Sequence, residues 1–165
     1  MKALSLTQPW ASLMAIGAKR NETRSRPWYF NGDVAICSTR ERWITAVPDY
    51  ADTALIWLWR LRGQFRGQYA TIQELYNSLP FGCVVCVVEK YGCVSTNDDN
   101  GDDRILTKQE IDLGGYDAGR FYYPTRHCRR LTKPVPVIGK QGFFDLPPEV
   151  ESAVKNQLAA LRSQA

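Results

Sequence analysis

Residues 17–24 read Gly17-Ala18-Lys19-Arg20-Asn21-Glu22-Thr23-Arg24, and the architecture can be worked out in both directions from them. Gly17 can adopt positive φ and so end the helix that precedes it. Over residues 9–16, Trp10, Leu13, Met14 and Gly17 recur at three and four residues, which gives a helix one apolar side. Pro9 suits its first turn, where a missing N–H has no partner to lose, and Thr7 stands as its N-cap. Upstream, Lys2–Leu6 reads as a first strand. Downstream, residues 22–25 read as extended, and Arg26-Pro27 turns the chain because a residue before proline avoids helix. If 22–26 is extended, Glu22, Arg24 and Arg26 share one side and Thr23 faces the other. Lys19, Glu22 and Arg24 thus place a proton donor, a carboxylate and a fixed cation within eight residues. Such a cluster binds a polar ligand, processes one, or is a solvated turn.

The remaining elements follow from similar signals. Asn31-Gly32 is a turn, and residues 34–37 a strand. Residues 53–62 predict a helix with Leu55, Leu58, Trp59 and Arg62 along one side. Residues 71–77 predict another, opened by a Thr71/Glu74 capping box. Residues 83–88 form the clearest apolar strand, rich in β-branched valine. Residues 95–115 are polar and rich in Gly and Asp, so a long loop is expected. Residues 120–123 and 128–131 read as two strands, with Pro124 as the break. Residues 134–137 are extended. Residues 148–161 close as a helix with Val150, Val154, Leu158 and Leu161 at helical spacing. This order is neither βαβ repetition nor a bundle. It predicts an α+β fold in which mixed strands close into a small barrel with helices over its ends.

The 165 residues fit one domain, 1–165, with a real core. No apolar run approaches a membrane span, and the N-terminus is too interrupted for a signal peptide. The five cysteines, Cys37, Cys83, Cys86, Cys93 and Cys128, are odd in number and irregularly spaced. That argues against a disulfide scaffold and for a reducing cytoplasm. Cys83 and Cys86 have zinc-ligand spacing, with Cys93, His127 and Cys128 as conceivable partners. In a regular strand, however, side chains three apart point to opposite faces, so buried core cysteines are the expectation and no metal site. There is no phosphate-cradling or dinucleotide fingerprint, and no cofactor is expected.

The net charge of +4 is unevenly spread. Residues 120–140 carry six basic side chains and no acid: Arg120, Arg126, Arg129, Arg130, Lys133 and Lys140. Residues 97–112 are acidic instead, a candidate lid or protein-docking loop. Basic segments converging on one face would attract phosphate, and Arg126, Arg129 and Arg130 are the candidate phosphate contacts.

Several phrases together resemble the ASCH domain family of the PUA-like superfamily. They are residues 4–11 (Leu-Ser-Leu-Thr-Gln-Pro-Trp-Ala), the 17–24 stretch, Pro80-Phe81-Gly82, Gly119-Arg120-Phe121, and residues 134–144. The resemblance runs from about residue 2 to 150. It implies a PUA-like β-barrel with flanking helices and a cleft bordered by the pattern Gly17-x-Lys19-x-x-Glu22-x-Arg24. Family members bind RNA or nucleotides. Some resemble amidohydrolases that remove an acyl group from the N4 amine of modified cytidine, and others are linked to RNA cleavage. In the amidohydrolases a lysine matches Lys19, with a threonine where this chain has Glu22. Their further catalytic glutamate has only Glu74 and Glu89 as candidates here. Glu22 is closer to the transcriptional-coactivator branch.

Lys19 and Glu22 are therefore the candidate catalytic pair. The lysine would hold an oxyanion or move a proton, and the carboxylate would accept from a base amine or orient water. Arg24 offers a planar fork for phosphate. Trp10 and Trp28 can stack a base, with Trp10 also well placed for a core. Ser5 and Thr7 can hydrogen-bond a base edge. Arg120 and Lys140 are placed at the cleft by the resemblance. Three functions stay open: binding RNA or a modified nucleotide, hydrolysis of N4-acylated cytidine or RNA, and adaptor work with a protein partner.

Overall fold

A computed structural model describes residues 1–42, 49–97 and 106–163, with the backbone alone for 49–52. Strands β1 (Lys2–Leu6), β2 (Asn21–Arg24), β3 (Gly32–Ser38), β4 (Cys83–Lys90), β5 (Val94–Ser95), β6 (Phe121–Pro136) and β7 (Phe143–Asp145) form one sheet. Its order is β2-β6-β4-β3-β1-β7, with β5 paired to β6. β1 runs parallel to β3, and the other pairs are antiparallel. The sheet curls into a half-barrel, the PUA-like small-barrel arrangement. Helices α1 (Trp10–Ala15), α2 (Asp49–Arg60), α3 (Ile72–Ser78), α4 (Lys108–Leu113) and α5 (Pro148–Arg162) flank it.

The sheet buries both faces. Ala3, Ala35, Cys37, Val84 and Val87 meet Val150, Val154 and Leu158 of α5. Leu4, Leu6, Val34, Ile36, Val85 and Val88 face the opposite way, onto Ala11, Met14 and Ala15 of α1. Leu13, Leu58, Leu75 and Leu113 form a third cluster that joins α1 to α2, α3 and α4. Each fully buried Leu or Val contributes roughly 1.5–3 kcal/mol by leaving water, and Leu113 is the α4 residue in this cluster. Among the described residues no helix is long and apolar enough to cross a membrane.

Four expectations are corrected. Thr7 does not cap α1 with its side chain; Gln8 takes that place, with its Oε1 accepting from Ser12 N at 3.1 Å and its Nε2 donating to Pro80 O at 2.6 Å. The polar stretch 95–115 is not one loop, because it contains α4, whose N-cap Thr107 accepts from Glu110 N at 3.3 Å. Its residues 98–105, including Asp98, Asp99, Asp102 and Asp103, lie outside the described residues. The two strands expected around Pro124 are one 16-residue strand. Pro124 has no N–H to give to the ladder, yet β6 runs on through it: its carbonyl accepts from Tyr91 N at 3.1 Å, and Thr125 N donates to Arg20 O at 2.8 Å. Finally, a register shift between Val84 and Cys86 puts Cys83 and Cys86 in the same core cluster rather than on opposite faces. Among the described residues no group of three or more His, Cys, Asp or Glu is arranged to hold a metal.

Candidate functional site

Gly17, at φ +74°, turns the chain out of α1, and Ala18 N and Lys19 N both donate to Leu13 O, at 2.9 and 3.1 Å. This turn drives Lys19 inward. Its ammonium, 2% exposed, donates to Asn21 O at 2.5 Å and to Leu113 O at 3.1 Å. From the other side, the Glu110 carboxylate accepts from Arg20 N, and from Asn21 N at 3.1 Å. Burial pushes the Glu110 carboxyl up, while the Lys19 charge and the two N–H donors pull it down, and burial is the larger effect. Gln109 Nε2 adds a bond to Ala18 O at 2.5 Å. The motif turn and α4 are thus fastened together by charge, amide and carbonyl.

β2 then alternates. Thr23 points away and its Oγ1 accepts from Gly115 N at 3.0 Å. Glu22 and Arg24 share the other face and pair, Nε to Oε1, at 2.9 Å, and Glu22 Oε2 lies 3.7 Å from Lys19 Nζ. Arg24 Nη2 reaches beyond its own strand to donate to Ser5 O on β1 at 3.0 Å. β2 is one end of the strand order, and β1 with β7 is the other. The Glu22–Arg24 pair therefore sits where the half-barrel nearly closes. Inside that mouth is a small cavity that Glu22 shares with Lys90, Tyr123, Thr125 and Phe143.

An aromatic wall stands beside the pair. Trp28 stacks on Phe143 with ring centroids 4.8 Å apart and planes at 19°, and Phe143 tilts onto Tyr123 at 5.8 Å. The segment carrying Trp28 is held at several points. Tyr123 Oη donates to Arg26 O at 2.5 Å, and Trp28 N donates to Cys93 Sγ at 3.4 Å. Lys90 Nζ donates to Phe30 O at 2.6 Å and lies 5.1 Å from the Tyr123 ring centre. Burial lowers the Lys90 ammonium pKa and pushes the Tyr123 phenol up to about 12. Opposite the wall, Gly139 packs on Ser5 so closely that a Cβ there would collide with Ser5 Oγ. Among the described residues that buried hydroxyl has no hydrogen-bond partner. Of the charged residues here, Glu22 and Lys90 line the cavity itself.

Comparison with known proteins gives the arrangement its context. Crystal structures of ASCH from Zymomonas mobilis, the protein itself and two single-site variants, superpose with TM-scores of 0.50, 0.51 and 0.52. Identities are 16%, 14% and 14%; the alignments cover 97%, 94% and 94% of this chain and 94%, 96% and 94% of those chains. The fold is that of an ASCH domain. Activating signal cointegrator 1 of Mus musculus is 25% identical over 157 residues, 94% of this chain. The chain spans 24% of that relative's length. No protein-family model matches the chain.

On this ASCH fold the sequence candidates divide. Ser5, Lys19, Glu22, Arg24 and Trp28 gather at the mouth. Lys140 is exposed in the segment between β6 and β7, next to Gly139. Thr7 follows β1 into α1. Trp10 packs half-buried against the third core cluster. Arg120 is a brace: its Nε donates to Gly115 O at 2.9 Å and its Nη2 to Thr23 O at 3.5 Å. The basic run on β6 splits between the two faces of the sheet. Arg126 pairs with Glu89 at 2.6 Å and Arg129 with Asp33 at 2.5 Å, whereas Arg130 meets Gln64 O at 3.1 Å. Glu74 and Glu89, the candidates for a further catalytic glutamate, are committed elsewhere. Glu74 accepts from Ala70 N at 2.8 Å, and Glu89 is also 2.8 Å from His127 Nδ1.

Three contributors went unrecognised in the sequence: Glu110, Lys90 and Phe143. Glu110 carried a signal, since Thr107-x-x-Glu110 repeats the Thr-x-x-Glu box read correctly at Thr71. Lys90 carried a weaker one, a charge ending a strand of buried residues. Phe143 carried none, because its stacking with Trp28 joins residues far apart in sequence.

Proposed function

We propose that the chain is a member of the ASCH domain family that binds RNA or a modified nucleotide at the barrel mouth. The observation that carries this reading is the position of Arg24. Its guanidinium spans Glu22 and the Ser5 carbonyl beside the Trp28–Phe143 stack, so charge, hydrogen-bond acceptor and aromatic surface converge. A base stacks on the exposed side of Trp28, 37% accessible. Glu22 accepts from an exocyclic amine, and the Ser5 hydroxyl reads a base edge. Arg24, 35% exposed, and Lys140 attract phosphate. Lys19 acts as an anchor in this reading. Its ammonium is spent on two main-chain carbonyls and Glu22, which supports a binding module over N4-acylcytidine or RNA hydrolysis. An adaptor role with a protein partner has the name of the mouse relative in its favour.

The test is a binding series with structured RNA, cytidine and N4-acetylcytidine at low and moderate salt, using wild type, Arg24→Gln and Trp28→Ala. Salt-dependent RNA binding that both variants weaken supports the reading. Product formation from N4-acetylcytidine, or RNA cleavage, moves the protein to the hydrolases. Absence of binding and turnover leaves the adaptor role.

A further inference from the structure

A second cleft, of about 460 Å³, opens on the side of α1 facing the α2–α3 connection and lies within the ~300–1,000 Å³ range of small-ligand sites. Phe65, Arg66 and Tyr69 line one wall, Arg130 and Thr132 of β6 another, and Ser12 of α1 the floor. None of its lining residues is acidic.

The cleft is built rather than loose. A 3₁₀ turn, Arg62–Gln64, precedes Phe65. Gly67, at φ +118°, lets the Tyr69 ring fold back on its own loop; a Cβ there would lie 2.9 Å from Tyr69 Oη. The Tyr69 hydroxyl donates to Arg66 O and closes that loop. Arg130 is aimed in two ways, by its bond to Gln64 O at 3.1 Å and by the Phe65 ring, whose centre is 5.8 Å from its guanidinium carbon.

Charge sets Arg130 apart from the other two candidate phosphate contacts on β6. Arg126 and Arg129 are neutralised by Glu89 and Asp33. Arg66 and Arg130 are exposed, and neither is ion-paired to a carboxylate among the described residues. Two unneutralised guanidinium groups beside Phe65 and Tyr69 make a planar, anion-seeking site. A phosphate satisfies both forks, and a base covers the aromatic edge.

We propose that this cleft is a second nucleic-acid site, which takes one nucleotide unit of a single strand. Its phosphate lies on Arg66 and Arg130 and its base lies against Phe65 and Tyr69. The inference shares with the proposed function only the class of ligand, and its residues are separate from Glu22, Arg24 and Trp28.

The experiment is fluorescence polarisation of labelled single-stranded oligouridylate over a salt series. Proteins are wild type, Arg66→Gln/Arg130→Gln and Trp28→Ala, with thermal unfolding to confirm that each is folded. The expected result is a Kd about tenfold weaker for the double arginine variant, with the log K against log salt slope reduced by about 0.7 for each arginine. Unpaired strand should bind better than duplex of the same sequence, because a paired base cannot leave its stack for the aromatic wall. An unchanged Kd and slope in the double arginine variant overturns the proposal, as does equal affinity for duplex. Weakening by the double arginine change alone supports this cleft and counts against the mouth. Weakening by Trp28→Ala alone does the reverse.

Discussion

Arg24 on β2 donates to the main-chain carbonyl of Ser5 on β1 at 3.0 Å, and so links the two ends of a sheet that the backbone leaves unpaired. The same guanidinium pairs with Glu22 at 2.9 Å. One side chain therefore both closes the half-barrel and sets the charge of its mouth.

Replacing Arg24 separates those tasks. Arg24→Gln should lower stability by only about 1 kcal/mol, because the group is one-third exposed and solvent screens the pair. For a chain of this size that is a fall of about 2–4 °C in Tm. RNA affinity should fall further than Tm does, and Arg24→Lys should recover little of it, since an ammonium cannot span Glu22 and Ser5 together. Parallel melting and binding curves check this; a variant that melts normally and binds normally removes Arg24 from the site.

Lys19 should behave in the opposite way. Lys19→Met keeps the volume but strips Asn21 O and Leu113 O of a charged donor and leaves Glu22 with Arg24 alone. Removing one partner of a buried charged group costs about 3 kcal/mol or more. Urea unfolding should show that loss. Any loss of function in a Lys19 variant has to be measured against the folded fraction before it is read as chemistry.

Acid stability should bear the mark of Glu89. Hydrogen bonds from Arg126 and then His127 hold its carboxyl at about 2, against an ordinary 4.5. A lowered acid pKa stabilises the fold fully above the ordinary value, and the contribution fades as pH falls from about 4.5 towards about 2. Glu89→Gln should flatten that part of the unfolding-midpoint profile, with its shortfall from wild type largest in the neutral range and closing as pH falls towards about 2. The same slope in both proteins would show that the contact with Arg126 does not persist in solution.

What could be read in the chain was local. Lys2–Leu6 reads as a short strand and the Thr71/Glu74 box announces its helix through capping, and Glu22 and Arg24 share a face because strand geometry requires it. Pro124 misled, since a proline in a strand usually marks an end; here two strands supply partners on either side of it. Cys83 and Cys86 misled because a register shift cannot be seen in spacing. The Asp-rich composition before residue 106 hid α4. The wall of Trp28, Phe143 and Tyr123 was out of reach for a different reason: strand pairing between distant segments creates it, and no one segment encodes it.

Glu110 offers the sharpest test of how α4 supports the motif. Its two oxygens accept from Arg20 N and Asn21 N, and Glu110→Gln keeps one acceptor while turning an amide N–H toward a backbone donor. The substitution should cost about 1–3 kcal/mol, the penalty for leaving a buried group unsatisfied. The pH dependence has a defined sign. Burial raises the folded pKa of this acid, so ionising it costs stability as pH climbs from the ordinary carboxylate value to the raised one. Wild type should therefore exceed the Gln variant most at low pH, and the gap should narrow through that window. Chemical denaturation at a series of pH values measures it. A gap that instead widens with pH would mean that the Lys19 charge and the two N–H donors outweigh burial, and that Glu110 holds the turn as a carboxylate with a lowered pKa.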